Sequence, residues 1–223
     1  MKKTSKCAFA ALALVGAASA ASAQSVVFNS GIRPGSFTGG EFVGTYTGGE
    51  LAGRSLRGFC LEIGELISLG GPSYGYEVVS GSDGAVHGGS GGPDPDPLSN
   101  ATAAIFTVWM SGLISNTPAN AKSVQEAIWF LEEEHGSATA GATSVINFVS
   151  GLAQYSTLDY TPGADDFNAS LFPNIRIVNP FDVNGDGSRG TERQSQIVLI
   201  PLPTASGMAL AGLALVGGIR RRK

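Results

Sequence analysis

The chain has 223 residues, 43% of them hydrophobic, enough for one domain with a proper core. Only 14% are charged while 32 are glycine, a balance that favours short strands and turns over long charged helices. The net charge of −4, with basic residues clustered only at the C-terminus, argues against a nucleic-acid-binding surface.

Residues 1–23 read as a secretory signal peptide. Lys2, Lys3 and Lys6 form a positive start, Ala8 to Ala18 a small apolar stretch, and Ala21 to Ala23 an A-x-A cleavage site. The exported chain then begins at Gln24. Cys7 leaves with the signal, so Cys60 is the only cysteine left. Exported proteins normally pair their cysteines. A solitary one points to an intermolecular bridge, a reactive thiol, a masked thiol or a buried small hydrophobe.

Four strands are predicted first: Val26 to Phe28, Phe42 to Tyr46 after the Gly39-Gly40 turn, Leu56 to Ile63, and Tyr74 to Val79. Ser80 to Pro97 is Gly, Ser, Asp and Pro with few apolar residues, and is expected to be a flexible excursion with His87 in solvent. A helix is expected from Ser99 or Asn100 to about Ile114. Thr117-Pro118 reads as a capping threonine with proline at the first helical position. That second helix carries Ala121, Val124, Ala127, Ile128 and Leu131 on one face and ends at Gly136. Glu132 to Glu134 in its last turn are expected to be solvated, and His135 to sit favourably at the helix C-terminus. A third helix is expected over Thr143 to Gln154, then strands over Asn174 to Val178 and Gln194 to Ile200. The order predicts an α+β fold: an antiparallel β-sheet or sandwich domain, 24–200, with an inserted helical block.

Two short motifs carry the chemistry. Cys60 stands between Phe59 and Leu61, and Gln125 opens an aliphatic-Gln-x-x-aliphatic-Trp pattern from Val124 to Trp129. In this order, with an alanine-rich helix between them, they resemble the thioester domains of bacterial surface proteins. Val124 departs from that pattern, where many members carry threonine. The resemblance implies an internal thioester between the Cys60 sulfur and the Gln125 side-chain carbonyl carbon. Formation requires a near-attack geometry, and survival requires dryness; Phe59, Leu61, Ile128 and Trp129 are the expected walls. An amine or hydroxyl on a surface or matrix target would displace Cys60 and become bound to residue 125. Used once, such a bond makes the protein a covalent binder and not an enzyme, with no cofactor. The alternatives are a structural or non-covalent adhesive protein without a formed thioester, and a cysteine-nucleophile enzyme using His87 or His135 as base.

Asp182, Asn184 and Asp186 match the opening of a calcium loop. Arg193 occupies the twelfth position, where a bidentate glutamate belongs, so a glycine-rich turn without metal is the better reading. Pro201, Leu202, Pro203 and Thr204 precede an apolar stretch, Ala205 to Ile219, and the basic stop Arg220 to Lys223. This arrangement is similar to PEP-CTERM sorting tails. It implies an exosortase-like processing enzyme, transient membrane attachment through a hydrophobic helix, and export to the cell envelope, cell surface or extracellular matrix. A permanent anchor is the competing reading.

Overall fold

The computed structural model describes residues 24–35, 39–87 and 94–201. The signal peptide and residues 202–223 of the sorting tail lie outside them. Seven strands and three α-helices are present among the described residues: β1 (Ser25–Ser30), β2 (Glu41–Thr47), β3 (Ser55–Cys60), β4 (Gly75–Val79), α1 (Asn100–Met110), α2 (Pro118–Leu131), α3 (Ala140–Ser150), β5 (Ile175–Val183), β6 (Arg189–Glu192) and β7 (Gln196–Leu199).

All strand pairings are antiparallel, in the order β1-β2-β3-β7-β5-β4, with β6 as a flap on β5. The chain is therefore α+β, as the element order predicts. A sandwich of two sheets is not what forms. The one sheet curls until its ends meet: Val26 N donates to Tyr74 O at 2.8 Å and Tyr74 N to Val26 O at 2.9 Å. This contact satisfies backbone groups that would otherwise be an open edge.

Strand alternation divides the core. Phe59, Ile177 and Ile197 pack with the helices, whereas Val178 and Val198, one residue on from the last two, join Val26, Phe28, Tyr46, Tyr74 and Tyr76 on the other face. There Tyr46 meets Tyr76 edge-on at 5.1 Å between ring centres, and the Tyr76 hydroxyl donates to Gly48 O at 2.8 Å. Tyr76 thus fills volume with its ring while its tip reaches a backbone acceptor, and the Tyr74 hydroxyl accepts from Ser68 N at 2.8 Å.

The helices cover the first face. Ser99 caps α1, its Oγ accepting from Thr102 N at 3.0 Å, and Thr117 caps α2 with Pro118 at the first position, as its sequence requires. Thr139, unforeseen, caps α3, which runs three residues earlier than expected at its start. Helix α1 is apolar almost all round and stops at Met110 rather than Ile114. Its small Ala101, Ala103 and Ala104 are fully buried, while Trp109 stands edge-on to Phe59 at 5.5 Å.

Two expectations need correction. The flanks of the 80–97 excursion are built into the fold. Ala85 and Asp96 exchange backbone hydrogen bonds of 2.8 and 3.0 Å, Leu98 N donates to Gly81 O, and Asn179 Nδ2 reaches Gly84 O. Ala85 and Leu98 are buried; few but well-placed apolar groups anchor a segment whose composition reads as loose. The acidic triplet is also not a solvated face. Helix α2 ends at Leu131, and Glu132 turns inward to accept from Ser99 N and Oγ, at 3.4 and 2.9 Å, at the start of α1. Burial pushes its carboxyl up to about 7. Glu134 accepts from Ile63 N at 3.1 Å.

Candidate functional site

Cys60 is the last residue of β3, and α2 passes across that end of the sheet. The two key residues are 65 positions apart in sequence and are brought into direct contact. Gln125 Nε2 donates to Cys60 O at 2.7 Å, and Cys60 N donates to Gln125 Oε1 at 3.2 Å. Gly40 N donates to the same oxygen at 3.3 Å. The carboxamide thus continues the ladder at the point where β2 stops pairing with β3, since Glu41 opposite Phe59 is the last matched pair. Both residues are fully buried.

Two glycines make room for this. A Cβ on Gly39 would lie 2.7 Å from Gln125 Cγ and closer still to the Trp129 ring. Gly40 has a φ of +105°, and its backbone N–H turns inward to the glutamine. The Gly39-Gly40 pair, read from sequence as a strand-bounding turn, is also the notch that accepts α2.

The sulfur faces two further glutamines. Cys60 Sγ donates to Gln194 Oε1 at 2.8 Å and accepts from Gln196 Nε2 at 3.3 Å. Gln194 Nε2 in turn donates to Glu62 O. Burial pushes the Cys60 thiol far above its usual range; the Gln196 donor and the Arg33 charge pull it down, while Glu62 pushes it up. Near neutral pH the free side chain is a thiol and not a thiolate. Glu62 itself is buried and accepts from His87 N at 2.9 Å and Ser195 N at 2.6 Å, so it ties the end of β3 to the residues leading into β7. Desolvation pushes it up to about 7 against the opposing pull of these donors.

The expected walls divide between two faces. Trp129 packs with Cys60 and Phe42 in a small apolar cluster flanked by Ile63, Ile67 and Leu69. Phe59, Leu61 and Ile128 are buried in the main helix–sheet core instead. Phe59 and Leu61 adjoin Cys60 in sequence, so the pleat turns them the opposite way. Phe42, Gln194 and Gln196 were missed. The signal available for the last two was two glutamines at alternate positions entering an apolar strand, a pattern that places both amides on one buried face.

The remaining candidates lie apart from the sulfur. Neither histidine hydrogen-bonds to it: His87 approaches Asp94 at 3.9 Å, and the His135 ring lies 6.0 Å from that of Trp129. Asp182, Asn184 and Asp186 sit in and beside the β5–β6 hairpin connection. Arg193 Nε donates to Asp182 at 2.9 Å, Ser188 Oγ to Asp186 at 2.6 Å, and Asn184 Nδ2 to Ser188 Oγ at 3.0 Å. Of the sorting motif only Pro201 is described, and it is exposed. The chain matches no protein-family model, no curated protein and no solved structure.

Proposed function

We propose that this is an exported surface or matrix protein whose Cys60 and Gln125 form an internal thioester, used to attach covalently to amine- or hydroxyl-bearing partners. One observation carries the reading: the Gln125 carboxamide is held by hydrogen bonds against Cys60 itself, with both residues fully buried. In the forming reaction the thiol sulfur adds to the carboxamide carbon, the C–N bond breaks, and the thiol proton leaves on ammonia. No co-reactant is required. A folded scaffold supplies the effective concentration, and burial slows hydrolysis of the product. A partner amine then attacks the acyl carbon, the C–S bond breaks, and the proton returns to sulfur. The product is an amide on residue 125 and a free Cys60 thiol. On this reading the tail beginning at Pro201 is a processing signal for an exosortase-like enzyme and attaches the protein only transiently to the membrane.

A second reading is favoured by the thiol's own contacts. Sγ is engaged by Gln194 and Gln196, and Gln125 bonds to the backbone, as a purely structural strap would. The protein would then be a non-covalent adhesive or matrix component. Intact mass separates the two. A thioester makes the exported protein one ammonia lighter than its sequence, and methylamine adding to residue 125 then leaves it one methylene heavier than its sequence. Full sequence mass with no methylamine adduct overturns the thioester reading.

A further inference from the structure

The sulfur lies beside a cleft whose charge is one-sided. Arg33, Phe42, Leu66, Ile67, Ser68, Leu69 and Gln194 line a space of about 310 Å³. Gln194 joins this cleft to the site, since its Oε1 accepts from Cys60 Sγ at 2.8 Å. Phe42 does the same through the apolar cluster it shares with Cys60 and Trp129. Among the described residues no carboxylate lines the cleft. The Arg33 guanidinium lies 5.9 Å above the centre of the Phe42 ring, partly exposed, and takes part in no ion pair among the described residues. A cation held on an aromatic face beside an apolar, acid-free cleft keeps its capacity for an anion.

We propose that this cleft is the entry for the attacking partner, and that Arg33 selects a nucleophile carrying an anionic group, a carboxylate or sulfonate, a few bonds from the reacting nitrogen or oxygen. The proposal rests on the thioester reading and names the substrate class of that site. The anion pairs with the guanidinium at the mouth while the nucleophile passes Gln194 toward the acyl carbon. Attack breaks the C–S bond, the electron pair goes to sulfur, and the nucleophile's proton ends on Sγ. A nucleophile borne on a cationic carrier is disfavoured by the same charge.

The test uses the full exported protein and two small amines: taurine, which carries a sulfonate, and 2-methoxyethylamine, a neutral amine of comparable basicity. Incorporation at residue 125 is followed by mass. Wild type is expected to take up taurine about 3- to 5-fold faster, the scale of one partly exposed ion pair. Raising the salt concentration should shrink that ratio. Arg33→Gln should bring the two rates together, and Arg33→Lys should keep most of the preference. Equal rates in wild type, or a taurine preference that survives Arg33→Gln, overturn the anion proposal and leave the thioester standing. Uptake of neither amine, with full sequence mass, overturns the thioester and this inference with it.

Discussion

At the end of β3, Phe59 and Cys60 are equally buried on opposite faces and chemically unlike in their surroundings. Phe59 turns toward α1, where it meets Phe106 and Trp109 edge-on at 6.2 and 5.5 Å, in a core of aliphatic and aromatic side chains. Cys60, one residue on, meets Gln125, Gln194 and Gln196. Around Phe59 the contacts are mainly volume and apolarity, which many sequences would satisfy, with one polar exception: the buried Glu41 opposite it accepts from Trp109 Nε1 at 3.2 Å and pairs with Arg57. The Cys60 face holds three carboxamides out of water, and each amide left without a partner costs free energy. A protein keeps such a face when the polar groups have a use, either fixing one arrangement of the chain or supporting a reaction.

The sharpest way to break this contrast is on the apolar side. Phe59→Ala is expected to destabilise the protein by about 3–5 kcal/mol, read from urea unfolding, because it opens a cavity between β3 and α1. Cys60→Ala removes far less volume. It should unfold near wild type while losing all methylamine incorporation. If both variants unfold alike, the two faces do not differ in kind.

Gln125→Ala comes next. It leaves Cys60 N, Cys60 O and Gly40 N without their partner and should cost about 2–3 kcal/mol. Gln125→Glu keeps the shape but puts an acceptor where Nε2 donates to Cys60 O, in a fully buried site, so it should cost at least as much as Gln125→Ala and give no adduct from methylamine. A Gln125→Ala protein as stable as wild type would show that α2 does not depend on this contact.

The buried carboxyls predict a pH dependence. Glu62 and Glu132 are both pushed up to about 7, chiefly by burial, from an ordinary value of 4.5. The folded state therefore holds protons that the unfolded chain has already released. Stability should be greatest below about 4.5, fall as pH rises toward 7, and level off above it. Glu132→Gln should flatten that slope, because an amide oxygen can still accept from Ser99 without ionising. Urea midpoints across pH 4 to 8 on both proteins would check it; an unchanged slope in the variant would exonerate Glu132.

The smallest stability effect is expected at Gln196→Leu. Its Oε1 has no hydrogen-bond partner, so removing the amide removes an existing cost along with its bond to Gln194 O. Unfolding should stay within about 1 kcal/mol of wild type. The Cys60 thiol, however, loses its donor and should react more slowly with an alkylating agent once methylamine has opened the site.

The sequence alone determined those features that depend on neighbours along the chain. The α+β class followed from the order of strand-like and helix-like segments. The start of α2 followed from Thr117-Pro118, since a cap and a locked φ act within one turn. That Cys60 and Gln125 belong together also came from the sequence, through two motifs and their order. Tertiary structure decided everything that depends on which faces meet. It curled one sheet through Val26 and Tyr74, deciding between the sheet and the sandwich that the element order left open. It sent Glu132 to the start of α1, because a buried N-terminus with open N–H groups attracts a carboxylate that composition would leave in water. It moved Phe59, Leu61 and Ile128 away from the sulfur and brought in Phe42, Gln194 and Gln196, since a pleat separates neighbours in sequence while pairing of β3 with β7 joins positions 134 and 136 residues apart. Local chemistry is written in the chain; the company a buried side chain keeps is set by long-range pairing, which a residue pattern does not encode on its own.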